Sequence, residues 1–420
     1  MKTKLIIIPA ILISALFLMS LYPIDGYDRT GIKRLYRLQK MEMDSIDNKR
    51  IPDGAYKKLA DIKLNLLSRR RDSASALLIE DPEFSRAVQR ITPGGAYSLA
   101  ILDMSNPDSL KYADHRENVG YQPGSVGKIA VLAALFTELH KVYPDSADFD
   151  LRMGLICNKR VKARYWGTGD HHTIPIYDIE KDKLTKRQVV ASDEFSVIEW
   201  ADHMVSVSNN GAASVVWREA MLISHFGKKY ADITEEEAEA YFKDTPRDSL
   251  TDRANRIVND PLRKLGISSD EWRLGSFFTG AANKYVGDKG GSTGTPIGLM
   301  KFLVSLEQGN VIDEQSSLEM KRLLYMTDRR IRYARAPQLD DAAVYFKSGS
   351  FYKCDRVKNP DCSAYAGNVY NYMNSVIIVE QPNGKKYICC LMTNVLNKNS
   401  AGAHMYLASS IDKLINPKES

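Results

Sequence analysis

The stretch GYQPGSVGKIAVLAALF, residues 120–136, places a serine and a lysine three positions apart where a loop becomes an apolar helix. Ser125 follows a Pro-Gly pair, and Lys128 falls one helical turn later on the same face. The apolar residues that follow predict a buried helix, and burial lowers the pKa of a lysine because it disfavours the charged form. A neutral lysine beside a serine hydroxyl is a base beside a nucleophile. Ser-x-x-Lys also arises by chance in chains of this length, so the motif alone does not decide the function.

Two further short motifs follow in the chain. The string VSNNG carries Ser208 and Asn210 at a break between helical segments, and the string YFKSGS carries Lys347, Ser348 and Gly349 at the end of a predicted strand. Serine-x-x-lysine, serine-x-asparagine and lysine-serine/threonine-glycine, in this order, resemble the signature set of penicillin-binding proteins and serine β-lactamases. Three weak motifs in the right order and in suitable elements make a strong pattern.

The resemblance to the class A β-lactamase-like catalytic domain extends over residues 93–416. Predicted strands lie near both ends of this region, with helices between them, which favours an α+β fold. We expect an antiparallel sheet built from N- and C-terminal strands and flanked by an all-helical subdomain. The expected organisation is a signal peptide or membrane anchor over 1–26, a helical extension over 27–92 and the serine hydrolase domain over 93–420.

Three segments outside the motifs have weaker patterns. DGAYKKLADIKLNLLSRR, residues 53–70, has the clearest amphipathic helical pattern of the extension. Residues 164–183 are polar and predict a loop. Residues 226–290 predict an acidic helix followed by a part that could hold short strands.

The resemblance implies a catalytic role for four residues. Ser125 would attack an amide carbonyl while Lys128 accepts its proton. Ser208 would pass a proton to the leaving nitrogen. Lys347 would supply positive charge that lowers the pKa of Ser208 and attracts a substrate carboxylate.

The resemblance also implies substrate-binding groups. Asn210 would hold the side-chain amide of the acylated ligand, and Ser348 would hydrogen-bond the substrate carboxylate in place of the commoner threonine. The backbone N–H groups of Ser125 and of Ser350, just past the Lys-Ser-Gly triplet that ends at Gly349, would stabilise the negative charge on the carbonyl oxygen.

Two departures from the class A pattern weaken an expectation of fast antibiotic hydrolysis. Glu271, in the string EWRLG, is the nearest match to the family's deacylating glutamate, but Gly275 stands where asparagine is expected. The string also lies too far from the STGTP helix start, so we expect a linker or strand there. Asn209 stands where these β-lactamases usually carry aspartate.

Other classes of site receive little support from the sequence. Asp170, His171 and His172 form a metal-like string, but adjacent histidines on a strand would point apart and no further ligand string follows. We therefore expect no metal and no nucleotide cofactor. The formal net charge of +6 is spread along the chain, and without a zinc-finger or RNA-binding signature it predicts no nucleic-acid partner.

The N-terminal region and the cysteines bear on the compartment. An apolar run over residues 5–22 follows two lysines and predicts a secretory signal or an uncleaved anchor, although the basic residues after the run argue against export. We expect an exported protein in the periplasm or on the outer face of the cytoplasmic membrane. Cys354 and Cys362 bracket a polar turn and could close a disulfide loop, whereas the other three cysteines are expected to be buried free thiols.

The sequence thus favours an acyl-serine hydrolase that resembles class A β-lactamases and opens β-lactam or related amide substrates through Ser125. A D-alanyl-D-alanine carboxypeptidase acting on peptidoglycan stem peptides is one alternative. A non-catalytic domain that senses cell-wall fragments or β-lactams is another, although the intact motifs argue against a decayed site.

Overall fold

The computed structural model describes residues 22–43, 51–327 and 330–417. The strands are β1 (Tyr97–Asp103), β2 (Lys111–His115), β3 (Arg160–Lys162), β4 (Thr173–Asp178), β5 (Lys183–Gln188), β6 (Glu194–Ser196), β7 (Trp272–Arg273), β8 (Thr293–Gly294), β9 (Ala343–Lys353), β10 (Tyr370–Glu380) and β11 (Lys386–Asn394). The helices are α1 (Tyr27–Thr30), α2 (Lys33–Glu42), α3 (Pro82–Ile91), α4 (Lys128–Val142), α5 (Phe149–Asn158), α6 (Val197–Ser206), α7 (Asn210–Phe226), α8 (Glu235–Asp244), α9 (Arg247–Lys264), α10 (Ala282–Tyr285), α11 (Pro296–Glu307), α12 (Glu314–Leu324) and α13 (Ala401–Ile415).

A five-stranded antiparallel sheet joins the two ends of the domain. Its strand order is β2-β1-β11-β10-β9, so the N-terminal hairpin pairs with the C-terminal strands through β1 and β11. The centres of β10 and β11 are buried on both faces, as expected for strands that are nearly continuous runs of apolar residues. The predicted α+β fold is confirmed, and β9, which carries Lys347, lies at an edge of the sheet.

A helical subdomain surrounds α4. This helix contacts α6, α7, α9 and α12, and its residues from Lys128 to Leu139 are all buried. A helix that is apolar on every side must pack on every side, and this places α4 in the centre of the subdomain. Ser125 lies three residues before the start of this buried helix.

The predicted amphipathic helix over residues 53–70 is wrong. The segment instead forms three single 3-10 turns, and two of its backbone amides donate to distant parts of the chain. The amide of Gly54 donates to the carbonyl of Asp340, and the amide of Leu66 donates to the carbonyl of Glu307, both at 3.0 Å. Because these amides pair outside the segment, they do not build a helical ladder.

The structure also changes the expectation for the two segments that separate the motifs. Residues 164–183 contain β4, which pairs with β5 in a hairpin whose second strand is largely exposed and therefore lacks an apolar signal. Residues 226–290 contain α8 but continue into α9, an 18-residue helix that includes Pro261. Only the two-residue strand β7 matches the expected short strands before residue 290.

The N-terminal residues that the structure describes pack on the rest of the chain. Tyr22 and Ile24 are fully buried, and Arg34 in α2 pairs with buried Asp202 in α6. Residues 1–21, which hold most of the predicted signal or anchor, lie outside the described residues. No helix within the described ranges is long and apolar enough to cross a bilayer.

The cysteines follow the prediction in most respects. Cys354 and Cys362 are joined by a disulfide bond, which confirms the predicted loop after β9. The free thiols of Cys389 and Cys390 are buried in β11, whereas the free thiol of Cys157 belongs to a half-buried residue rather than a buried one.

Candidate active site

The serine-lysine pair forms at the start of α4. Ser125 lies in a 3-10 turn, Gly124–Gly127, and Lys128 is the first residue of the helix. The fully buried Lys128 Nζ lies 2.9 Å from Ser125 Oγ. Burial lowers the pKa of Lys128 to about 7, although the negative charge of Asp170 acts in the opposite direction. At neutral pH a large fraction of this lysine is therefore uncharged and able to accept a proton.

The loop between α6 and α7 supplies the second motif. Asn209 caps α7 by accepting a hydrogen bond from the amide of Ala212, while Ser208 adopts a left-handed backbone conformation with φ 59°. Lys128 Nζ contacts the Ser208 carbonyl at 2.5 Å and the side-chain oxygen of Asn210 at 2.7 Å. The sharp turn at Ser208 thus brings the Ser208 carbonyl and the Asn210 side chain onto Lys128.

The third motif completes a chain of polar side chains. Lys347 is 2% exposed, and its Nζ donates to Ser208 Oγ at 2.9 Å. Lys128 Nζ lies 3.4 Å from the same oxygen, so the Ser208 hydroxyl is located between two lysines. Burial, and then the charges of Lys128 and Arg332, hold the pKa of Lys347 well below its usual value. The structure therefore brings all four predicted catalytic side chains into one hydrogen-bonded chain.

Two glycines allow the serine turn to lie directly against the edge strand. A Cβ at Gly349 would lie 2.1 Å from the Pro123 carbonyl oxygen and 3.0 Å from the Ser125 amide nitrogen. A Cβ at Gly124, whose φ is +55°, would lie 2.7 Å from the Ser350 amide nitrogen. This close approach brings the turn that bears the Ser125 amide against the strand that bears the Ser350 amide, the two predicted oxyanion donors.

A cavity of about 200 Å³ opens beside these groups. Ser125, Ser208, Lys347, Ser348, Gly349 and Ser350 line it, together with residues that the sequence motifs do not mark. The most distinctive of these is Arg332, whose Nη1 donates to the Gly349 carbonyl at 2.9 Å and whose guanidinium lies 5.8 Å from the ring centre of Tyr365. Arg332 adds a cation to the side of the cavity that holds Lys347. In the sequence it is one of several arginines in RRIRYAR, and no motif distinguishes it.

The opposite side of the serine turn is apolar. Leu274 and Phe278 lie against Gly127, and the Phe278 ring centre is 5.1 Å from Lys128 Nζ. Glu271 lies elsewhere, because its carboxylate accepts from Lys301 Nζ at 2.5 Å and from the Ser268 amide at 2.8 Å. Within the described residues, no carboxylate is hydrogen-bonded to the side chain of Ser125 or Lys128.

The metal-like string behaves differently from the expectation. Asp170, His171 and His172 lie in a loop rather than a strand, and the two imidazole rings are 4.3 Å apart, so the prediction that they point apart is wrong. One donor atom from each residue lies within 4.8 Å of the others. Asp170 Oδ1 already accepts from His172 Nδ1 at 2.7 Å and from Asn210 Nδ2 at 3.1 Å. That the protein uses no metal stays a prediction.

Comparisons with known proteins identify the family and the fold. The model of the beta-lactamase enzyme family matches residues 83–411. Among solved structures, TLA-3 extended-spectrum beta-lactamase is 13% identical, with 80% of this chain and 98% of that chain covered and a TM-score of 0.51. A class A beta-lactamase from Bacteroides cellulosilyticus is 15% identical over 79% and 97% of the two chains, with a TM-score of 0.49.

A PBP-A variant in an acyl-enzyme complex with penicillin G is 13% identical over 78% of this chain and 94% of that chain, with a TM-score of 0.47. A search of the curated proteins found no match. The similarity to the solved structures concerns the fold, and the family match covers more than half of the chain. This chain belongs to the beta-lactamase enzyme family, whose fold is that of the β-lactamase type of serine hydrolase.

Proposed function

We propose that this protein is an acyl-serine hydrolase that opens β-lactams or related amides through a covalent intermediate on Ser125. The observation that carries this proposal is the continuous hydrogen-bonded chain from Ser125 through Lys128 and Ser208 to Lys347. Such a chain provides a nucleophile, a base with a lowered pKa and a route for a proton.

In the acylation step Ser125 is the nucleophile, and Lys128 and Ser208 carry its proton to the leaving nitrogen. A bond forms between Ser125 Oγ and the amide carbon while the proton of the hydroxyl moves to Lys128 Nζ. The tetrahedral oxyanion receives hydrogen bonds from the amides of Ser125 and Ser350. The carbon–nitrogen bond then breaks, Ser208 donates its proton to the leaving nitrogen, and Lys128 returns a proton to Ser208. The ester on Ser125 remains.

Substrate selection follows from the charged and polar groups of the cavity. Arg332 makes one side of it electropositive, and Lys347 and Ser348, which line the same cavity, offer hydrogen-bond donors to a substrate. A substrate with a carboxylate close to the scissile amide satisfies these groups, and both β-lactams and peptides ending in D-alanine have this feature. An exported protein, as the N-terminal apolar run predicts, would meet both classes of compound.

A D-alanyl-D-alanine peptidase is the second candidate. The apolar side of the Ser125 turn, formed by Leu274 and Phe278, favours it. Hydrolysis of the acyl-enzyme ester on Ser125 needs a base that activates a water molecule, and the phenyl ring of Phe278 cannot accept a proton. An enzyme with this site would be acylated by penicillin and would release the product slowly. A non-catalytic sensor is the third candidate and shares the same slow release.

Intact-protein mass spectrometry during incubation with penicillin G distinguishes these candidates. A penicilloyl adduct that persists for hours indicates a peptidase or sensor, and release of D-alanine from a pentapeptide then identifies the peptidase. A short-lived adduct accompanied by consumption of penicillin indicates a β-lactamase. No adduct at all would contradict the proposal of a β-lactam-reactive serine.

A further inference from the structure

Asp170 lies in the loop before β4, and its side chain is 1% exposed. A buried carboxylate requires hydrogen bonds or opposite charge to offset the loss of hydration. Asp170 Oδ2 accepts from the Asn210 amide at 2.6 Å, and Oδ1 accepts from Asn210 Nδ2 at 3.1 Å and from His172 Nδ1 at 2.7 Å. Most of these bonds therefore go to Asn210, one of the residues that contact Lys128.

The chemistry of a carboxylate fixes the orientation of the Asn210 amide. An ionised carboxylate only accepts hydrogen bonds, so the NH2 group of Asn210 must face Asp170 and its carbonyl oxygen must face the other way. That oxygen lies 2.7 Å from Lys128 Nζ. Asp170 is thus the first member of a chain that continues through Asn210 to Lys128 and ends at Ser125.

The same carboxylate fixes a second group on this side of the cavity. His172 lines the cavity, and its Nδ1 bonds to Asp170, so the ring is held in one orientation. In the part of the chain that the structure describes, the charged or titratable groups that act on Asp170 are His171, His172 and Lys128, and those that act on Lys128 are Asp170 and Lys347. The negative charge on Asp170 acts on the base across this short polar chain.

We propose that Asp170 is a positioning residue of the acyl-serine site, which orients Asn210 toward Lys128 and stabilises the protonated lysine that forms when Ser125 is deprotonated. The proposal rests on the proposed function. The Asp170 carboxylate is charged at neutral pH, because hydrogen bonds from His172 and Asn210 outweigh the effect of burial and hold the pKa of Asp170 at about 2. Burial lowers the pKa of Lys128 more than Asp170 raises it.

Three variants separate the charge of Asp170 from its position. Asp170→Asn removes the charge and places an NH2 group against a donor of Asn210. Asp170→Glu keeps the charge but displaces it, and it serves also if the first variant fails to fold. Asp193→Asn is the matched control, because Asp193 is another buried aspartate that accepts three hydrogen bonds, from Arg187 and the Val190 amide, away from the cavity.

The first measurement is the titration of Lys128, followed by the 13Cε signal of labelled lysine and assigned with Lys128→Arg. We expect the midpoint of Lys128 to fall by about half a pH unit or more in Asp170→Asn, because an attractive negative charge is lost. Asp170→Glu should lower it less, and Asp193→Asn should leave it unchanged. Equal midpoints in the wild type and Asp170→Asn would overturn the proposal, and this test does not require the enzyme to react with penicillin.

The second measurement is the rate of acylation by a fluorescent penicillin as a function of pH. We expect Asp170→Asn to lower the maximum of the pH–rate profile about ten-fold. The acidic limb of that profile should move to lower pH. Asp170→Glu should also lower the maximum rate, but its acidic limb should move less than that of Asp170→Asn. If the wild type is not acylated, the proposed function fails while the titration still decides the role of Asp170. A maximum rate and an acidic limb like those of Asp193→Asn would contradict the positioning role.

Discussion

The two sides of the Ser125 turn differ in chemistry. On one side, Lys128 Nζ has polar neighbours in Ser125, Ser208 and Asn210. On the other, Leu274 and Phe278 cover the turn with hydrocarbon. The first side can move protons during acylation, whereas the second offers no base for a water molecule. Under the proposed function, formation and hydrolysis of the acyl-enzyme therefore depend on different sides of the Ser125 turn, and only the first side carries groups that can transfer a proton.

Removal of the nucleophile should have the largest effect on the polar side. We expect Ser125→Ala to abolish the penicilloyl adduct, with a loss of at least about 10⁴-fold in acylation rate, because the variant lacks the hydroxyl that lies 2.9 Å from Lys128 Nζ and attacks in the proposed step. Mass spectrometry and peptide mapping after penicillin treatment measure this. The far-UV circular dichroism should stay unchanged. Persistent labelling of the variant would show that the nucleophile is another residue.

The base on the polar side predicts a pH dependence. The pKa of Lys128 is about 7, so its neutral fraction should fall about 100-fold between pH 8 and pH 5, and the acylation rate should fall with it. Stopped-flow acylation by a chromogenic cephalosporin over this range measures the limb. The rate falls toward low pH because only the uncharged amine of Lys128 can accept a proton. A rate that is constant from pH 8 to pH 5 would exclude Lys128 as the base.

A carboxylate placed on the apolar side tests the other half of the comparison. Phe278 is half-buried and faces Lys128, so we expect Phe278→Glu to shorten the lifetime of the penicilloyl adduct about ten-fold or more by supplying a base for water. The decay of the adduct by mass spectrometry measures this lifetime. Phe278→Gln, with the same length and no charge, is the matched control. Equal decay in the two variants would mean that the carboxylate does not act as a base there.

The sequence predicted the polar side far better than the apolar one. Lys128 and Lys347 could be identified because each motif is local and lies at a helix start or on a strand. Asp170 and Arg332 acquire their contacts only when distant segments meet in the fold. In the sequence, Asp170 belongs to a metal-like string and Arg332 to a basic run, and neither pattern indicates a place in the site. The sequence did not predict that Phe278 lies beside Lys128, because an aromatic residue outside a motif is expected to be part of the hydrophobic core.

The same distinction explains the outcome for the fold. The five-stranded sheet and α4 could be predicted because their apolar residues are long continuous runs. The structure of residues 53–70 could not, because their local backbone bonds close only single turns and the amides of Gly54 and Leu66 pair with Asp340 and Glu307. Helical periodicity there reflects burial against the domain, and tertiary contacts override the local preference.

The smallest effect should come from Glu271, the residue that most resembles a deacylating base in the sequence. Its carboxylate is paired with Lys301 and with the Ser268 amide, away from the cavity. We therefore expect Glu271→Gln to leave the decay of the penicilloyl adduct unchanged within about two-fold, and to lower the free energy of unfolding at pH 7 by about 1 kcal/mol or less. Urea denaturation and adduct decay measure the two quantities.

The pH dependence of stability separates this structural role from a catalytic one. Hydrogen bonds from Lys301 and Ser268 outweigh burial and lower the pKa of Glu271, so its contribution to stability is present at neutral pH and is lost as the pH falls through the lowered value. The stability difference between Glu271→Gln and the wild type should therefore vanish in acid. Glu194→Gln, which breaks a more exposed pair with Arg160, should change stability less at neutral pH. A much slower decay of the adduct in Glu271→Gln would instead identify Glu271 as the base for hydrolysis, and the proposed difference between the two sides of the Ser125 turn would then be wrong.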